Sequence, residues 1–264
     1  MYARAIARLR SSARLRTSLI LWSAGGLLLT EAFADSVAAV HSPSFVPIAA
    51  AAAFVWWLLI TAVFIGGAAL LVTPDGADVD AYGVPNGLTA MRAWACLPLM
   101  LVATLSLPGR IGLVLWGAVG GPVGFLDAVD GFIARHGGHV TVLGKAMDPF
   151  MDSLFFITGA VGSAALGVVP VWLGALIAFR YGGPLLATPI VFVVRRRPEL
   201  VHTVWGRRNT VLIGAVLTIL YLVDVFGGPV SVVAPIVALP TLVPTMIAHF
   251  VALGQRVADA PVVR

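Results

Sequence analysis

Charged residues are scarce in this chain: Asp, Glu, Lys and Arg make up only 11% of its 264 residues. A soluble domain carries about 25% charged residues, so this scarcity excludes an ordinary soluble fold. The hydrophobic share is 59%, and the mean hydropathy is +0.99. The apolar runs are long and continuous rather than alternating along the chain, which favours membrane-spanning helices over an outer-membrane barrel.

Cysteine is nearly absent as well. The single Cys96 excludes an intrachain disulfide, and no cluster of His and Cys has the spacing of a zinc site. The net charge is +5, but the basic residues lie at the ends of apolar runs rather than on a soluble face. The sequence therefore predicts no nucleic-acid partner and assigns the positive charge to membrane orientation.

Eight apolar stretches are long enough to cross a bilayer, for which a helix needs roughly 20 residues. They predict an all-α fold, a polytopic transmembrane helix bundle with a lipid bilayer as its surroundings. The predicted spans are about residues 17–38, 47–72, 87–107, 111–134, 142–168, 170–194, 209–226 and 230–253.

Two basic clusters orient the predicted bundle. One precedes the first span and the other follows the sixth, so with eight spans both lie on one side, the cytoplasmic side. Their members are Arg4, Arg8, Arg10, Arg14 and Arg16, then Arg195, Arg196, Arg197, Arg207 and Arg208. This distribution predicts an integral protein of a bacterial cytoplasmic membrane. An alternative for the first span is a cleaved signal peptide, because AFA at 32–34 resembles a signal-peptidase site.

Four aspartates interrupt the apolar sequence at the cytoplasmic ends of the fourth and fifth spans: Asp127, Asp130, Asp148 and Asp152. An intramembrane carboxylate is costly and usually serves function. At 100° per residue the first two share one helix face, and the last two share another. Four such acids repel one another unless positive charge lies between them, and hard oxygen ligands suit Mg²⁺ or Mn²⁺. We therefore expect two divalent ions.

The aspartates belong to a longer pattern, D-x-x-D-G-x-x-A-R-x8-G-x3-D-x3-D, within residues 127–152. This pattern resembles the signature of the CDP-alcohol phosphotransferase family. The segment PNGLTAMR at 85–92 is similar to the opening of that family's first core helix. The resemblance covers about 85–253 and implies a six-helix family core plus two additional N-terminal spans.

The resemblance also implies a division of the chain into three parts. Residues 1–84 form the basic N-terminus, the two extra spans and an interfacial lead-in, and residues 85–254 form the core. Residues 255–264 are a cytoplasmic tail. A homodimer is the assembly that the resemblance suggests.

The family's reaction transfers a phosphatidyl group from CDP-diacylglycerol to a small polar alcohol and releases CMP. The resemblance implies that all four aspartates bind metal and that Asp152 is also the general base. It assigns seven further residues to the CDP pocket. These are Asn86, Thr89, Arg92, Gly131, Ala134, Arg135 and Gly144.

The acceptor alcohol is less clearly specified. The run TVLGKAMDPFMDS at 141–153 is similar to the glycerol-phosphate branch of the family, although Ser153 replaces the usual Lys of that branch and the Arg of the inositol-phosphate branch. Three arginines are the predicted acceptor ligands: Arg180 inside the sixth span, Arg195 and Arg207. They favour a phosphorylated acceptor, with glycerol 3-phosphate first and inositol phosphate second.

Three other interpretations remain open on the sequence alone. An ion-coupled transporter also uses intramembrane carboxylates, although it does not require the glycine, alanine and arginine of the pattern. An aspartate-rich membrane prenyltransferase spaces its acids differently. A relative that keeps the pattern without turnover is the third.

Overall fold

The computed structural model describes residues 2–136, 140–193 and 204–259. Over these residues the regular structure is helical, apart from an isolated antiparallel bridge between Val72 and Asp78. The main helices are α1 Tyr2–Ser11, α2 Ala13–His41, α3 Val46–Gly67, α4 Gly83–Thr104, α5 Ile111–His136, α6 Val142–Ala165, α7 Val171–Val193, α8 Val204–Val225 and α9 Val230–Asp259. The all-α prediction is confirmed.

Each predicted span overlaps one helix, from α2 to α9. Six helical stretches in the described part of the chain are long and apolar enough to cross a membrane, so the chain is an integral membrane protein. They are Ala13–His41, Pro43–Leu70, Gly83–Thr104, Ile111–Ile133, Val204–Val225 and Val230–Asp259. Helix α6 is not among these six stretches, and it carries three charged residues in its first half, Lys145, Asp148 and Asp152.

Local sequence accounts for where several helices begin and turn. The Ser12 hydroxyl accepts a hydrogen bond from the Leu15 backbone N–H at 3.2 Å, which caps the start of α2. Gly109 and Gly227 lie in two of the connections between helices with φ of 55° and 72°. These left-handed conformations favour glycine. Gly227 follows the end of α8 by two residues and terminates it, whereas Gly109 lies in the turn just before α5.

The chain divides into two compact units, residues 1–158 and 159–264, with the boundary inside α6. In the first unit, α2 and α4 approach closely where a glycine on one helix faces a tryptophan on the other. Gly26 lies against the buried ring of Trp94, and Gly87 lies against Trp22. Small residues allow this approach, which suits helices that pack without a hydrophobic driving force between them.

Helix α3 is attached to the same pair by its two neighbouring tryptophans. The Trp56 indole N–H donates to the backbone carbonyl of Ala93 at 2.9 Å, and Trp57 donates to the carbonyl of Ser23 at 2.7 Å. The two rings therefore pack into the protein with their polar edges satisfied. The extra N-terminal spans are thus joined directly to α4, the first helix of the predicted core.

Adjacent glycines on α2 provide a matched test of this packing. A methyl group at Gly26 would overlap the Trp94 ring, whereas a methyl group at Gly25 would have no neighbour within 4 Å. We expect Gly26→Ala to lower the melting temperature of the purified protein, since overpacking costs about 1–3 kcal/mol. Gly25→Ala should leave it unchanged or raise it, because alanine favours the helix. Equal melting temperatures for the two variants would contradict the close α2–α4 contact.

Candidate active site

Helix α6 carries Gly144, Asp148 and Asp152 on one face, at four-residue intervals. The helix begins after Thr141, whose hydroxyl oxygen accepts a hydrogen bond from the Gly144 backbone N–H at 3.0 Å. This contact satisfies one of the N–H groups that the first turn of a helix leaves without an internal partner. The side chain of Thr141 therefore helps to set where the acid-bearing face begins.

Asp152 lies beside a cation from α4. One carboxylate oxygen, Oδ1, is 3.2 Å from Nη2 of Arg92. The Arg92 side chain is 2% exposed and the Asp152 side chain 18% exposed, so the pair is largely withdrawn from water but the carboxylate stays reachable. The guanidinium also lies over the Phe155 ring, 5.3 Å from its centroid. Arg92 thus supplies positive charge beside the predicted base and orients it.

A second contact joins α4 to the start of α6, about three helical turns before Asp152. The Thr141 hydroxyl donates to the side-chain carbonyl of Asn86 at 3.2 Å, and the Asn86 amide nitrogen donates to the backbone carbonyl of Tyr82 at 2.7 Å. A Cβ at Gly144 would lie 3.2 Å from the same Asn86 oxygen. The lack of a side chain at 144 therefore lets α4 approach α6.

The two predicted motif segments consequently meet in the structure. The PNGLTAMR segment contributes Asn86 and Arg92, and the aspartate segment contributes Gly144 and Asp152. Thr89 is also buried, and its hydroxyl donates to the backbone carbonyl of Pro85 at 3.1 Å. The contacting residues are far apart along the chain, with a separation of 55 residues for Asn86 and Thr141 and 60 for Arg92 and Asp152.

Helix α5 packs against α6 next to the acids. Gly124 lies against the Phe155 ring, because a Cβ at 124 would be 3.1 Å from Cζ of that ring. Positions 127 and 130 follow Gly124 within the next two turns of α5. Asp152 and Asp148 precede Phe155 over a similar length of α6.

The backbone at 127–135 is helical, but the side chains of Asp127, Asp130, Ala134 and Arg135 lie outside the described residues. Gly131 is half-buried, and Asp148 is exposed. Among the side chains that the structure describes, no three His, Cys, Asp or Glu residues converge. Because two of the four predicted ligands are outside that set, the metal cluster stays a prediction.

The second unit contains a buried arginine with neutral partners. Arg180 of α7 is 6% exposed, and its Nε donates to the Asn209 side-chain oxygen of α8 at 3.1 Å. Its guanidinium also lies over the Tyr181 ring, 5.0 Å from the centroid. Asn209 in turn donates to the Thr245 hydroxyl of α9 at 2.7 Å. Within the described residues Arg180 forms no ion pair.

The other two predicted acceptor residues differ from Arg180. Arg207 is exposed in the first turn of α8, and Arg195 lies outside the described residues. Ser153, the position that separates the family branches, donates its hydroxyl to the backbone carbonyl of Pro149 at 2.7 Å. That residue is therefore engaged within α6.

Sequence reasoning missed the roles of Thr141 and Asn209. A signal for Thr141 was present, because threonine immediately before a helix is a common N-cap. Asn209 lies in the basic segment GRRNT at 206–210, in which only Arg207 was predicted to bind the acceptor. The complete burial of Asn209 follows from the packing of α7, α8 and α9, which no local pattern specifies.

These features define a membrane-embedded helical bundle in which Arg92 and Asn86 of the predicted first core helix contact Asp152 of the acidic helix and Thr141 at its start. The model of the CDP-alcohol phosphatidyltransferase family matches residues 82–250, well over half of the chain, and the chain belongs to this family. The resemblance inferred from the aspartate pattern is confirmed. The chain is accordingly a membrane enzyme that acts on CDP-alcohol substrates in phospholipid biosynthesis.

Two curated relatives are named "Probable phosphatidylglycerophosphate synthase". They come from Mycobacterium tuberculosis strains CDC 1551 / Oshkosh and ATCC 25618 / H37Rv. Each is 28% identical to this chain over 165 residues, which cover 61% of this chain and 76% of the relative. No solved structure matches the chain.

Proposed function

We propose that this enzyme transfers a phosphatidyl group from CDP-diacylglycerol to glycerol 3-phosphate and releases CMP. The observation that carries this proposal is the contact between the two motif segments at Arg92–Asp152 and Asn86–Thr141. It brings residues predicted to bind the nucleotide next to a residue predicted to act on the acceptor. The name of the two relatives, probable phosphatidylglycerophosphate synthase, supports the choice of acceptor.

The donor side of the site consists of small and basic residues. Gly144 lies directly against Asn86, because a Cβ at 144 would be 3.2 Å from the Asn86 Oδ1, so we assign both residues to the same wall of the donor pocket. Arg92 is already desolvated, so its attraction for a phosphate is less screened than at a surface. The proposed CDP-binding set is Asn86, Thr89, Arg92, Gly131, Ala134, Arg135 and Gly144.

The donor atoms of the proposed metal site are all carboxylate oxygens, a set that fits Mg²⁺ or Mn²⁺. Its members are Asp127, Asp130, Asp148 and Asp152. Two bound ions would supply positive charge to the donor pyrophosphate and to the departing CMP. The contact of Gly124 in α5 with Phe155 in α6 supports this grouping, because each residue lies within about two helical turns of the acid pair on its own helix.

Asp152 is the proposed general base. Its carboxylate takes the proton of the acceptor hydroxyl as that oxygen bonds to the β-phosphorus of the donor. The bond from this phosphorus to the bridging oxygen breaks, and the electron pair leaves with CMP. Arg92 holds the carboxylate in one orientation at Oδ1, which serves a reaction that depends on alignment.

A phosphorylated acceptor is supported by Arg180. An arginine keeps its charge at any accessible pH, and this one has only neutral described partners in Asn209 and Tyr181. A buried cation without a counter-ion attracts an anion strongly. We assign Arg180, Arg195 and Arg207 to the phosphate of the acceptor, with inositol phosphate as the second candidate.

The location follows from charge. Five arginines lie at 4–16, before the first long apolar run, and five lie at 195–208, which supports a cytoplasmic active site in a bacterial cytoplasmic membrane. Residues 85–254 are the proposed catalytic core, with 1–84 as an N-terminal addition and 255–264 as a tail. A homodimer is the proposed assembly.

The deciding experiment is an acceptor screen with purified protein and CDP-diacylglycerol. Glycerol 3-phosphate, inositol phosphate, inositol and serine are supplied in turn, with excess Mg²⁺ or with EDTA, and CMP release is measured. We expect the fastest release with glycerol 3-phosphate, and a loss of activity in EDTA that Mg²⁺ or Mn²⁺ restores. Undiminished turnover in EDTA would remove the metal from the proposal, and preference for a neutral alcohol would remove the phosphorylated acceptor.

The assigned base is tested by Asp152→Asn. The amide keeps the shape of the side chain but cannot take a proton, so CMP release should fall by at least about a hundredfold. Binding of CDP-diacylglycerol, measured by isothermal titration, should survive. Asp35→Asn in α2 is the matched control and should turn over like wild type. Normal turnover in Asp152→Asn would refute the assignment.

The acceptor role is tested by Arg180→Ala and Arg180→Lys. We expect the alanine variant to raise the KM for glycerol 3-phosphate about tenfold or more, with little change in the KM for donor. Lysine keeps the charge without the planar fork and should restore part of the affinity. Arg110→Ala, at an exposed loop position, controls for loss of a positive charge. An effect confined to the donor KM would exclude Arg180 from the acceptor site.

A further inference from the structure

Arg8 of α1 is the most heavily engaged arginine of the N-terminal region. Its guanidinium donates to three backbone carbonyls and pairs with one carboxylate, all within residues 68–79. The partners are Ala68 (3.0 Å) and Leu71 (2.9 Å) for Nη1, and Val79 (3.3 Å) and the Asp78 carboxylate (3.0 Å) for Nη2. Hydrogen bonds that involve a charged group are stronger than neutral ones.

Residues 68–79, called the lead-in segment below, form a small folded unit between α3 and α4. The backbone N–H of Val79 donates to the Leu71 carbonyl at 2.9 Å, and that of Thr73 donates to the Ala77 carbonyl at 2.8 Å. Leu71 is fully buried. Arg8 binds the two sides of this unit at once, because Ala68 and Leu71 lie on one side and Val79 on the other.

The lead-in segment directly caps the acidic helix. The backbone N–H of Val142, the first residue of α6, donates to the Val72 carbonyl at 2.9 Å. This N–H lies in the first turn and has no partner within its own helix. At the end of α3, a Cβ at Gly67 would lie 2.5 Å from Cδ1 of the buried Leu143. The N-terminal addition therefore packs tightly against the start of α6.

The start of α6 is consequently held from two directions. Val72 bonds to Val142 on one side, and Asn86 bonds to Thr141 on the other. A helix transmits the position of its first turn along its length, since each residue is fixed by the one four before it. The positions of Asp148 and Asp152, two and three turns on, depend on this attachment.

We propose that Arg8 is a positioning residue for catalysis, and that the N-terminal addition serves as a brace for the acid-bearing helix. The brace lies outside the matched family region, 82–250, and it acts through the lead-in segment and Val72 rather than through substrate contact. The inference rests on the proposed function, because it assigns the braced carboxylates to metal and proton chemistry.

Two neighbours of Arg8 offer matched controls. Arg4 and Arg10 stand on the same helix and carry the same charge, but both are exposed whereas Arg8 is half-buried. If these arginines act only by attraction to anionic lipid, replacing any one of the three should have the same effect on activity. If Arg8 acts through its contacts with the lead-in segment, only the replacement of Arg8 should lower activity.

The experiment compares Arg8→Gln, Arg4→Gln and Arg10→Gln in the full-length protein. Val142→Pro is a second probe of the same contact, because proline suits the first helical position while removing the N–H that bonds to Val72. Amide hydrogen exchange over residues 143–146, which keep their N–H in every variant, is measured without substrate. The kcat, the KM for donor and the Mg²⁺ concentration for half-maximal activity are measured separately.

We expect faster amide exchange at the start of α6 in Arg8→Gln and Val142→Pro but in neither control. We also expect kcat to fall, or the required Mg²⁺ concentration to rise, on the order of tenfold, with the donor KM within about twofold. If Arg8→Gln cannot be purified, Val142→Pro decides by the same measurements.

Similar changes in all three arginine variants would overturn the proposal in favour of a general charge effect. A lower melting temperature with unchanged exchange and unchanged Mg²⁺ response would overturn it too, because Arg8 would then contribute stability alone. A wild-type protein that releases no CMP from CDP-diacylglycerol refutes the proposed function instead. In that case the exchange measurement still decides whether Arg8 and Val72 hold the start of α6.

Discussion

An ionised carboxylate inside a helical membrane bundle requires a cation or hydrogen-bond donors within reach, and this requirement governs how α4 and α6 meet. Asp152 satisfies it with Arg92, which is almost completely buried and lies 3.2 Å away. Because the two residues stand on different helices, the pair fixes the height of one helix against the other. Asn86 and Thr141 then fix the same two helices at a second level.

Arg180 shows the opposite arrangement in the second unit. Its described hydrogen bond is to the neutral Asn209, which is itself bonded to Thr245. A neutral partner orients a guanidinium without cancelling its charge. Arg180 therefore keeps its attraction for an anion, whereas the charge of Arg92 also orients the Asp152 carboxylate.

Helix formation was predictable because it depends on properties that are read along a single stretch of chain. Long apolar runs and turn residues predicted each helix from α2 to α9, and the spacing of the aspartates predicted that Gly144, Asp148 and Asp152 share a face. The folded lead-in segment was not predicted. It is stabilised by the distant contacts of Arg8 rather than by a local apolar pattern.

The sequence by itself determined the helical membrane fold and the family, since composition, periodicity and motif spacing are all local quantities. Only the tertiary structure decided which hydrogen-bond or ion-pair partner each arginine contacts. Arg92 and Asp152 are 60 residues apart, Arg180 and Asn209 are 29 apart, and Arg8 reaches 71 residues to Val79. Such pairings arise when helices pack and the low dielectric of the interior leaves each buried charge few ways to be satisfied.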